Sequence, residues 1–307
     1  MSGSGGLPPG LERDYALARL TTIRTGGRAA WYARPGTVPA LEGLLHWAAE
    51  SDLDVGVVGS GSNLLIADSG FAGLVLKLDG ALARIDHEGD RLVCGGGARL
   101  PQAAARAASL GLAGLEFGVS IPGTVGGAVR MNANAYGGEL GRILEWVDVC
   151  APTGTYRRAP GDLGFEYRRS NIGPREVVAR ASFVLEPSDA ETVKAALADL
   201  RARRREAQPS GIKTFGSTFK NPEDPRAEGR TAGQLLEAAG CKGLEVGGAR
   251  FSPKHANFIE NHADASTADV LALIAAGRRR VQDRFGIALE PEVQLLGDAD
   301  FPFEAQE

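Results

Sequence analysis

Two glycine-rich segments constrain this chain more than any other feature of its sequence. The first, Val58–Leu65, overlaps the end of an apolar run, Asp54–Gly59, that predicts a short buried strand. The second, Gly118–Glu139, combines Pro-Gly and Gly-Gly pairs with hydroxyl and asparagine side chains. Glycine lets the backbone turn tightly and approach a ligand closely. Both segments therefore predict main chain that lies against a bound molecule.

The first segment has the chemistry of an anion site, because successive glycines expose N–H groups that form a nest for phosphate oxygens. Ser60, Ser62 and Asn63 add side-chain donors. Leu64 stands where a Rossmann fingerprint needs its third glycine, and no Gly-Lys-Ser/Thr follows as in a P-loop. By itself, a strand-to-turn connection without special function is an equal alternative. For the second segment, binding is favoured over an ordinary surface loop, since many apolar residues accompany its glycines.

Composition narrows the class of protein. The formal net charge of −4 gives no overall attraction for nucleic acid, and the basic run Arg201–Arg205 is best explained as a solvated helix face. Three scattered cysteines indicate a reduced compartment, and no His/Cys/Asp/Glu cluster has metal-ligand spacing. Neither a signal peptide nor a stretch of ~20 apolar residues is visible. We therefore expect a cytoplasmic protein without a His/Cys/Asp/Glu metal site, and binding of a monovalent cation stays open.

The pattern along the chain predicts mixed sheets and helices. Residues 1 to about 20 are expected to form a loose leader and a short helix, and Gln208–Gly211 a linker between domains. Helices are expected over Val38–Glu50, Arg99–Leu110, Ala190–Arg204, Thr231–Ala239 and Ser266–Phe285. Strands are expected over Asp54–Gly59, Gly73–Leu78, Arg91–Cys94, Trp146–Ala151, Val177–Leu185 and Leu289–Leu296.

Seven elements in order resemble the family of UDP-N-acetylenolpyruvoylglucosamine reductases, the MurB family. They cover most of the chain, and their shared order is far more specific than any one of them. The elements are Thr22–Arg28, Gly59–Asn63, Ser120–Gly127, Tyr167–Ser170, Gly216–Pro222, His255–Asn261 and Leu289–Val293.

The resemblance implies an α+β fold: a two-lobed FAD-binding region of the vanillyl-alcohol-oxidase (PCMH) type and a C-terminal α+β substrate domain. Its lobes are expected at 1–78 and 79–205, the substrate domain at 206–290, and a terminal strand returning to the FAD region at 291–307. Arg168 and Ser217 are only 49 positions apart (217 − 168). The chain therefore resembles the shorter family type, which lacks an inserted loop with a substrate-closing tyrosine.

The implied activity is NADPH-dependent, FAD-mediated reduction of UDP-N-acetylglucosamine enolpyruvate to UDP-N-acetylmuramate, a step in peptidoglycan precursor synthesis. FAD is expected to bind non-covalently, NADPH to act as co-substrate, and the chain to be a monomer or weak homo-oligomer. One alternative is another flavin oxidoreductase of this fold acting on a small alcohol or sugar. Such enzymes often tether FAD through a histidine near the first loop, but no histidine lies between His46 and His87. The other alternative is a non-catalytic nucleotide-binding module.

Three residues match the catalytic positions of the family. Ser217 is implied as proton donor, although by spacing alone a turn residue is the more ordinary interpretation. Arg168 is implied to hold the substrate carboxylate and stabilise an enolate, and Glu292 to hydrogen-bond the enolate if protonated. Arg169 and Glu290 are the neighbours that spacing alone cannot separate from Arg168 and Glu292.

The resemblance also implies binding residues. For FAD they are Gly59, Ser60, Gly61, Ser62, Asn63, Leu64, Ser120, Ile121, Gly123, Thr124, Gly126 and Gly127. For the substrate they are Tyr167, Lys220, Asn221, Lys242 and His255, although an ordinary polar surface role is an equal alternative for His255. Asn134 and Phe215 depart from the glycine and the small residue usual at these places.

Overall fold

The computed structural model describes residues 7–303, so part of the expected loose leader lies outside the described residues. The chain forms two compact units. Among the described residues, the first unit contains 7–15, 29–60 and 72–203, and the second contains 16–28, 61–71 and 204–303.

The five longer predicted helices are confirmed, with ends that shift by a few residues; in place of the short helix expected before residue 20, the structure has only the 3₁₀ turn Leu17–Leu20. The α-helices are α1 (Val38–Glu50), α2 (Leu100–Ser109), α3 (Val125–Arg130), α4 (Leu140–Ile143), α5 (Ala190–Ala207), α6 (Ala232–Ala238) and α7 (Thr267–Phe285). Short 3₁₀ turns cover Leu17–Leu20, Gly80–Ala83, Glu116–Ser120, Pro160–Leu163 and Pro225–Ala227.

Most strands are short. In chain order they are β1 (Glu12–Ala16), β2 (Arg28–Ala33), β3 (Val55–Val57), β4 (Leu64–Ile66), β5 (Phe71–Leu76), β6 (Ile85–Glu88), β7 (Arg91–Gly95), β8 (Leu112–Ala113), β9 (Asn134–Ala135), β10 (Gly138–Glu139), β11 (Leu144–Ala151), β12 (Gly154–Arg158), β13 (Val177–Val184), β14 (Glu186–Pro187), β15 (Glu245–Val246), β16 (Ala249–Phe251), β17 (Ile259–Asn261) and β18 (Gln294–Leu296).

The first unit contains two main sheets. One has the order β1-β2-β5-β3, with β3 and β5 parallel, and the buried leucines of α1 pack with Leu74 and Leu76 of β5. The other has the order β12-β11-β13-β7-β6 and is antiparallel throughout. Its core joins Val147 and Phe183 to the alanines of α2 and to α3. These packed layers fix the ends of β3 and β5 and the turn before α3.

The second unit packs α6 and α7 with the small sheet β15-β16-β17. Helix α7 begins as its sequence predicts, because Ser266 accepts from the Asp269 N–H and the Asp269 carboxylate accepts from the Ser266 N–H. It ends at Gly286, whose φ of +70° is left-handed. Gly277 lets the helix lie on Phe251, since an added Cβ would be 2.5 Å from that ring.

Two expectations for strands and loops are wrong in part. Glu12–Ala16, expected within the leader and short helix, is a strand because β2 lies beside it in the sheet. The strand expected over Leu289–Leu296 is limited to Gln294–Leu296, which pairs in parallel with β4. Only isolated pairing between Pro291 and Phe219 precedes it, and Pro291 has no N–H for a continuous ladder.

Candidate functional site

In the first unit, the two glycine-rich segments meet at Gly59 and Thr124. An added Cβ on Gly59 would lie 2.4 Å from Thr124 Oγ1, so a side chain at position 59 has no room. Thr124 caps α3 by accepting from the Gly127 N–H, and the Gly126 N–H donates to the Gly96 carbonyl at 2.8 Å. The close approach is therefore made by backbone and small side chains.

Two hydroxyl groups in these segments fit an anionic ligand. Ser60 Oγ and Ser120 Oγ are both buried, and neither has a hydrogen-bond partner among residues 7–303. Unpaired buried polar atoms are rare in folded proteins and often mark a place where a ligand or water completes the bonding. Together with the excluded side chain at Gly59, these groups fit a phosphate-bearing cofactor. Ile121 and Gly123 lie between Ser120 and Thr124, where a Cβ on Gly123 would meet only Ile121 at 3.8 Å.

The rest of the first loop belongs to the second unit. Gly61 has φ +65°, and an added Cβ would lie 2.1 Å from the Leu20 carbonyl oxygen. The Gly61 carbonyl accepts from the N–H and the hydroxyl of Thr22, at 3.0 and 3.1 Å. Thr22 therefore holds this part of the loop by hydrogen bonds to the Gly61 backbone carbonyl.

Asn63 links the loop to the end of the chain. Its Nδ2 donates to the Glu292 carbonyl at 3.1 Å, and its own carbonyl accepts from the Gln294 N–H at 3.1 Å. Leu64 then pairs with Gln294 in the parallel β4–β18 ladder. The Ser62 carbonyl lies 3.4 Å from the position of a Cβ on Gly216. The structure thus places Ser62, Asn63 and Leu64 beside two other predicted site segments.

Ser217 and Glu292 are also brought together in the second unit. Ser217 pairs with Phe258 and follows Gly216, whose φ of +87° favours glycine. The next residue, Thr218, accepts from the Glu292 N–H at 2.9 Å through its carbonyl. Ser217 and Glu292, 75 positions apart (292 − 217), therefore lie on adjoining backbone segments.

Arg168 belongs to the first unit, so its meeting with Ser217 and Glu292 stays a prediction. It has φ +58°, an uncommon value for a non-glycine residue, and its guanidinium donates to the Asn134 carbonyl at 3.2 Å. The guanidinium also lies 5.5 Å from the centre of the Tyr167 ring. By contrast, Arg169 is 72% exposed and pairs with Glu166. This difference favours Arg168 over its neighbour.

The other predicted substrate residues have partners within the second unit. Lys220 Nζ donates to Glu290 at 2.5 Å, and Lys242 Nζ donates to Glu237 at 2.6 Å. Glu290 is engaged by Lys220 and its side chain is 70% exposed, which favours Glu292 over Glu290 as the predicted catalytic residue.

Asn221 and His255 serve the local backbone. Asn221 Oδ1 accepts from the Ala232 N–H at 3.1 Å, and His255 Nδ1 accepts from the Asn257 N–H at 3.2 Å. Burial lowers the pKa of His255, which favours the neutral ring. These contacts give both residues structural roles, and their contact with substrate stays a prediction.

Sequence reasoning missed the asparagines that hold these segments in place. Asn257 is 4% exposed, and its side chain both accepts from the Phe219 N–H and donates to the Phe219 carbonyl. Asn261 donates to the Ile23 carbonyl at 3.0 Å. Their place in the element His255–Asn261 was the available signal, because amide side chains can satisfy two backbone groups at once.

The two departures from the family pattern have simple structural settings. Phe215 is fully buried in the core of the second unit. Asn134 contacts Arg168 through its main-chain carbonyl, so this contact does not depend on the asparagine side chain. Neither residue replaces one of the three predicted catalytic groups.

Residues 7–303, the described part of the chain, contain neither a metal-binding cluster nor a membrane-spanning helix. No group of three or more His, Cys, Asp or Glu residues there has the geometry to hold a metal ion. No helix there is long and apolar enough to cross a membrane.

Comparisons with known proteins agree with this arrangement. Residues 29–160 match the model of the FAD binding domain, and residues 208–296 match that of the UDP-N-acetylenolpyruvoylglucosamine reductase C-terminal domain. The reductase of Anaeromyxobacter dehalogenans strain 2CP-1 is 43% identical over 93% of this chain and 85% of its own length. A second reductase, from Symbiobacterium thermophilum, is 41% identical over 94% of this chain and 93% of its own length.

A solved structure extends the likeness to three dimensions. The crystal structure of the reductase (MurB) from Thermus caldophilus is similar with a TM-score of 0.80 and 36% identity, covering 93% of this chain and 98% of that one. The sequence matches and this likeness cover both the FAD-binding and the C-terminal segments. The chain belongs to the UDP-N-acetylenolpyruvoylglucosamine reductase (MurB) family.

Proposed function

We propose that this chain reduces UDP-N-acetylglucosamine enolpyruvate to UDP-N-acetylmuramate with NADPH as reductant, and that Arg168, Ser217 and Glu292 carry out the substrate half of the reaction. Bound FAD supplies the hydride chemistry between NADPH and substrate. Family membership over 93% of the chain supports the activity. It also favours the reductase over an oxidase of small alcohols or sugars, and over a non-catalytic nucleotide-binding module. The adjoining positions of Ser217 and Glu292 carry the residue assignment.

The chain's own residues have to manage negative charge. Hydride addition to the alkene leaves an enolate on the carboxylate-bearing carbon, and that carbon then takes a proton. Arg168 holds the substrate carboxylate and stabilises the enolate, because a guanidinium can make two parallel charge-assisted bonds. Ser217 donates the proton, and Glu292 hydrogen-bonds the enolate oxygen when it is protonated.

The remaining assignments extend the proposal. The phosphates of FAD bind at Gly59–Leu64 and Ser120–Gly127, and the substrate is bound by Tyr167, Lys220, Asn221, Lys242 and His255. The FAD region divides into lobes at 1–78 and 79–205, followed by a substrate domain at 206–290 and the terminal segment 291–307. We expect the enzyme to act in the cytoplasm as a monomer or weak homo-oligomer.

Stopped-flow measurement of flavin absorbance in the Ser217→Ala variant tests the proposal. Reduction of the flavin by NADPH is expected to keep its rate, while reoxidation by the enolpyruvyl UDP-sugar slows by roughly 10²- to 10⁴-fold, the usual contribution of a positioned general acid. Ser210→Ala, in the exposed linker, is the matched control and should change neither rate. Equal slowing of both half-reactions would refute the proton-donor role.

A further inference from the structure

Lys77 is a residue that neither the sequence motifs nor the catalytic assignment uses. It directly follows β5, and Gly59 lies two residues beyond β3. Because β3 and β5 are parallel, with Val57 beside Leu76, their carboxyl ends meet at one edge of the sheet. Ligands in sheets of this kind commonly bind outside the carboxyl ends of the strands. Lys77 is therefore at the edge where the first glycine-rich segment begins.

The Lys77 side chain turns back onto that segment. Its Nζ donates to the Gly59 carbonyl at 2.5 Å. In a trans peptide the C=O and the following N–H point in opposite directions, so this bond directs the Ser60 N–H away from Lys77. The Ser60 hydroxyl, on the same residue, is buried without a hydrogen-bond partner in the described residues. Lys77 thus fixes the orientation of a residue whose buried hydroxyl has no partner among residues 7–303.

More positive than negative side chains act on Lys77: Arg34 and Arg99 against Asp79. Burial lowers the pKa of Lys77, and Arg34 and Arg99 lower it further, whereas Asp79 opposes them. Asp79 itself is paired with Arg34 at 2.5 Å. Arg99 also pairs through its backbone with Thr124, the residue that contacts Gly59. An anion bound at this edge would relieve the crowding of positive charge.

We propose that Lys77 is a positioning residue for the pyrophosphate of FAD. It holds the Gly59–Ser60 peptide so that the N–H and hydroxyl of Ser60 are available to phosphate oxygens, and its ammonium group adds attraction for the two negative charges. This inference rests on the proposed binding of FAD phosphates at Gly59–Leu64. It predicts a loss of affinity that depends on the phosphates of the ligand and not on its flavin ring.

The test compares two ligands of the apoprotein, FAD and riboflavin, by quenching of flavin fluorescence. For Lys77→Met, the Kd for FAD is expected to rise by roughly 10- to 100-fold, because charge-assisted contacts are the stronger class of hydrogen bond. The Kd for riboflavin, which has no phosphate, should change by less than about twofold on the same grounds. Lys194→Met, at an exposed lysine paired with Glu191 in the same unit, is the matched control and should alter neither constant.

A conservative variant protects the test against loss of folding. Lys77→Arg keeps both charge and donor and should recover most of the FAD affinity, with an apoprotein Tm close to that of the parent chain. An unchanged Kd for FAD in Lys77→Met, or equal weakening of FAD and riboflavin, overturns the role of Lys77. If the parent chain itself binds no FAD, the proposed function falls instead.

Discussion

The contact between Gly59 and Thr124 in the first unit and the backbone around Ser217 in the second unit depend on different kinds of interaction. Around Gly59 and Thr124 the missing side chain is what matters, because a Cβ would lie 2.4 Å from Thr124 Oγ1. Around Ser217 the side chains of distant residues are what matter, since Asn257 and Asn63 bond to backbone groups far away in sequence. The first arrangement should therefore be disturbed by an added side-chain atom at Gly59. The second should be disturbed by loss of a side-chain amide such as that of Asn257.

The largest effect is expected on removing the two hydrogen bonds between the Asn257 side-chain amide and the Phe219 backbone. Asn257→Ala leaves the buried N–H and C=O of Phe219 without their partner. The free energy of unfolding should fall by roughly 2–6 kcal/mol, since each such group costs about 1–3 kcal/mol. Urea unfolding of the apoprotein measures the change. At a pH low enough to keep its carboxyl protonated, Asn257→Asp offers both an acceptor and an O–H donor and should lose less than alanine; equal losses there would contradict this role of Asn257.

An intermediate effect tests the glycine contact. Gly59→Ala is expected to lower stability by about 1–3 kcal/mol, the usual range for an overpacked site, and to weaken FAD binding. Thermal unfolding and FAD titration measure both changes. In the double variant Gly59→Ala/Thr124→Ala, the Oγ1 and Cγ2 atoms nearest the added Cβ are removed, so part of the loss should return. Strictly additive effects would show that the two residues do not press on each other. Gly43→Ala, where a Cβ meets nothing within 4 Å, is the control.

The smallest effect concerns the capping box formed by Ser266 and Asp269 at the start of α7. The Ser266 N–H, followed by the Gly248 N–H, lowers the pKa of Asp269 below its ordinary 3.8. A carboxylate whose pKa is lower in the folded than in the unfolded state stabilises the fold at pH values above its unfolded-state pKa. This stabilisation is lost as the pH falls through the folded-state pKa. Asp269→Asn should therefore cost about 1 kcal/mol near pH 7, as for other helix caps, and progressively less as the pH falls below 3.8 through the lowered pKa of Asp269. Unfolding midpoints across this pH range check the convergence. A constant difference would assign the effect to packing.

Local signals in the sequence determined the helices and the position of the glycine contact. Ser266 and Asp269 predict the start of α7 because a capping box needs only residues three apart. Gly59 and Gly126 mark places of close approach because the absence of a side chain is itself a local property. The order of the seven elements identified the family, which the 43% identity over 93% of the chain then confirmed.

Only the tertiary structure decided which distant residues become neighbours. Three contacts join residues that are 18 or more positions apart in sequence: Glu292 with Thr218, Asn257 with Phe219, and Lys77 with Gly59. It also made Glu12–Ala16 a strand and paired Glu290 with Lys220, 70 positions away. The physical reason is that strand pairing and ion pairing depend on partners supplied by the fold, and a local pattern does not contain them.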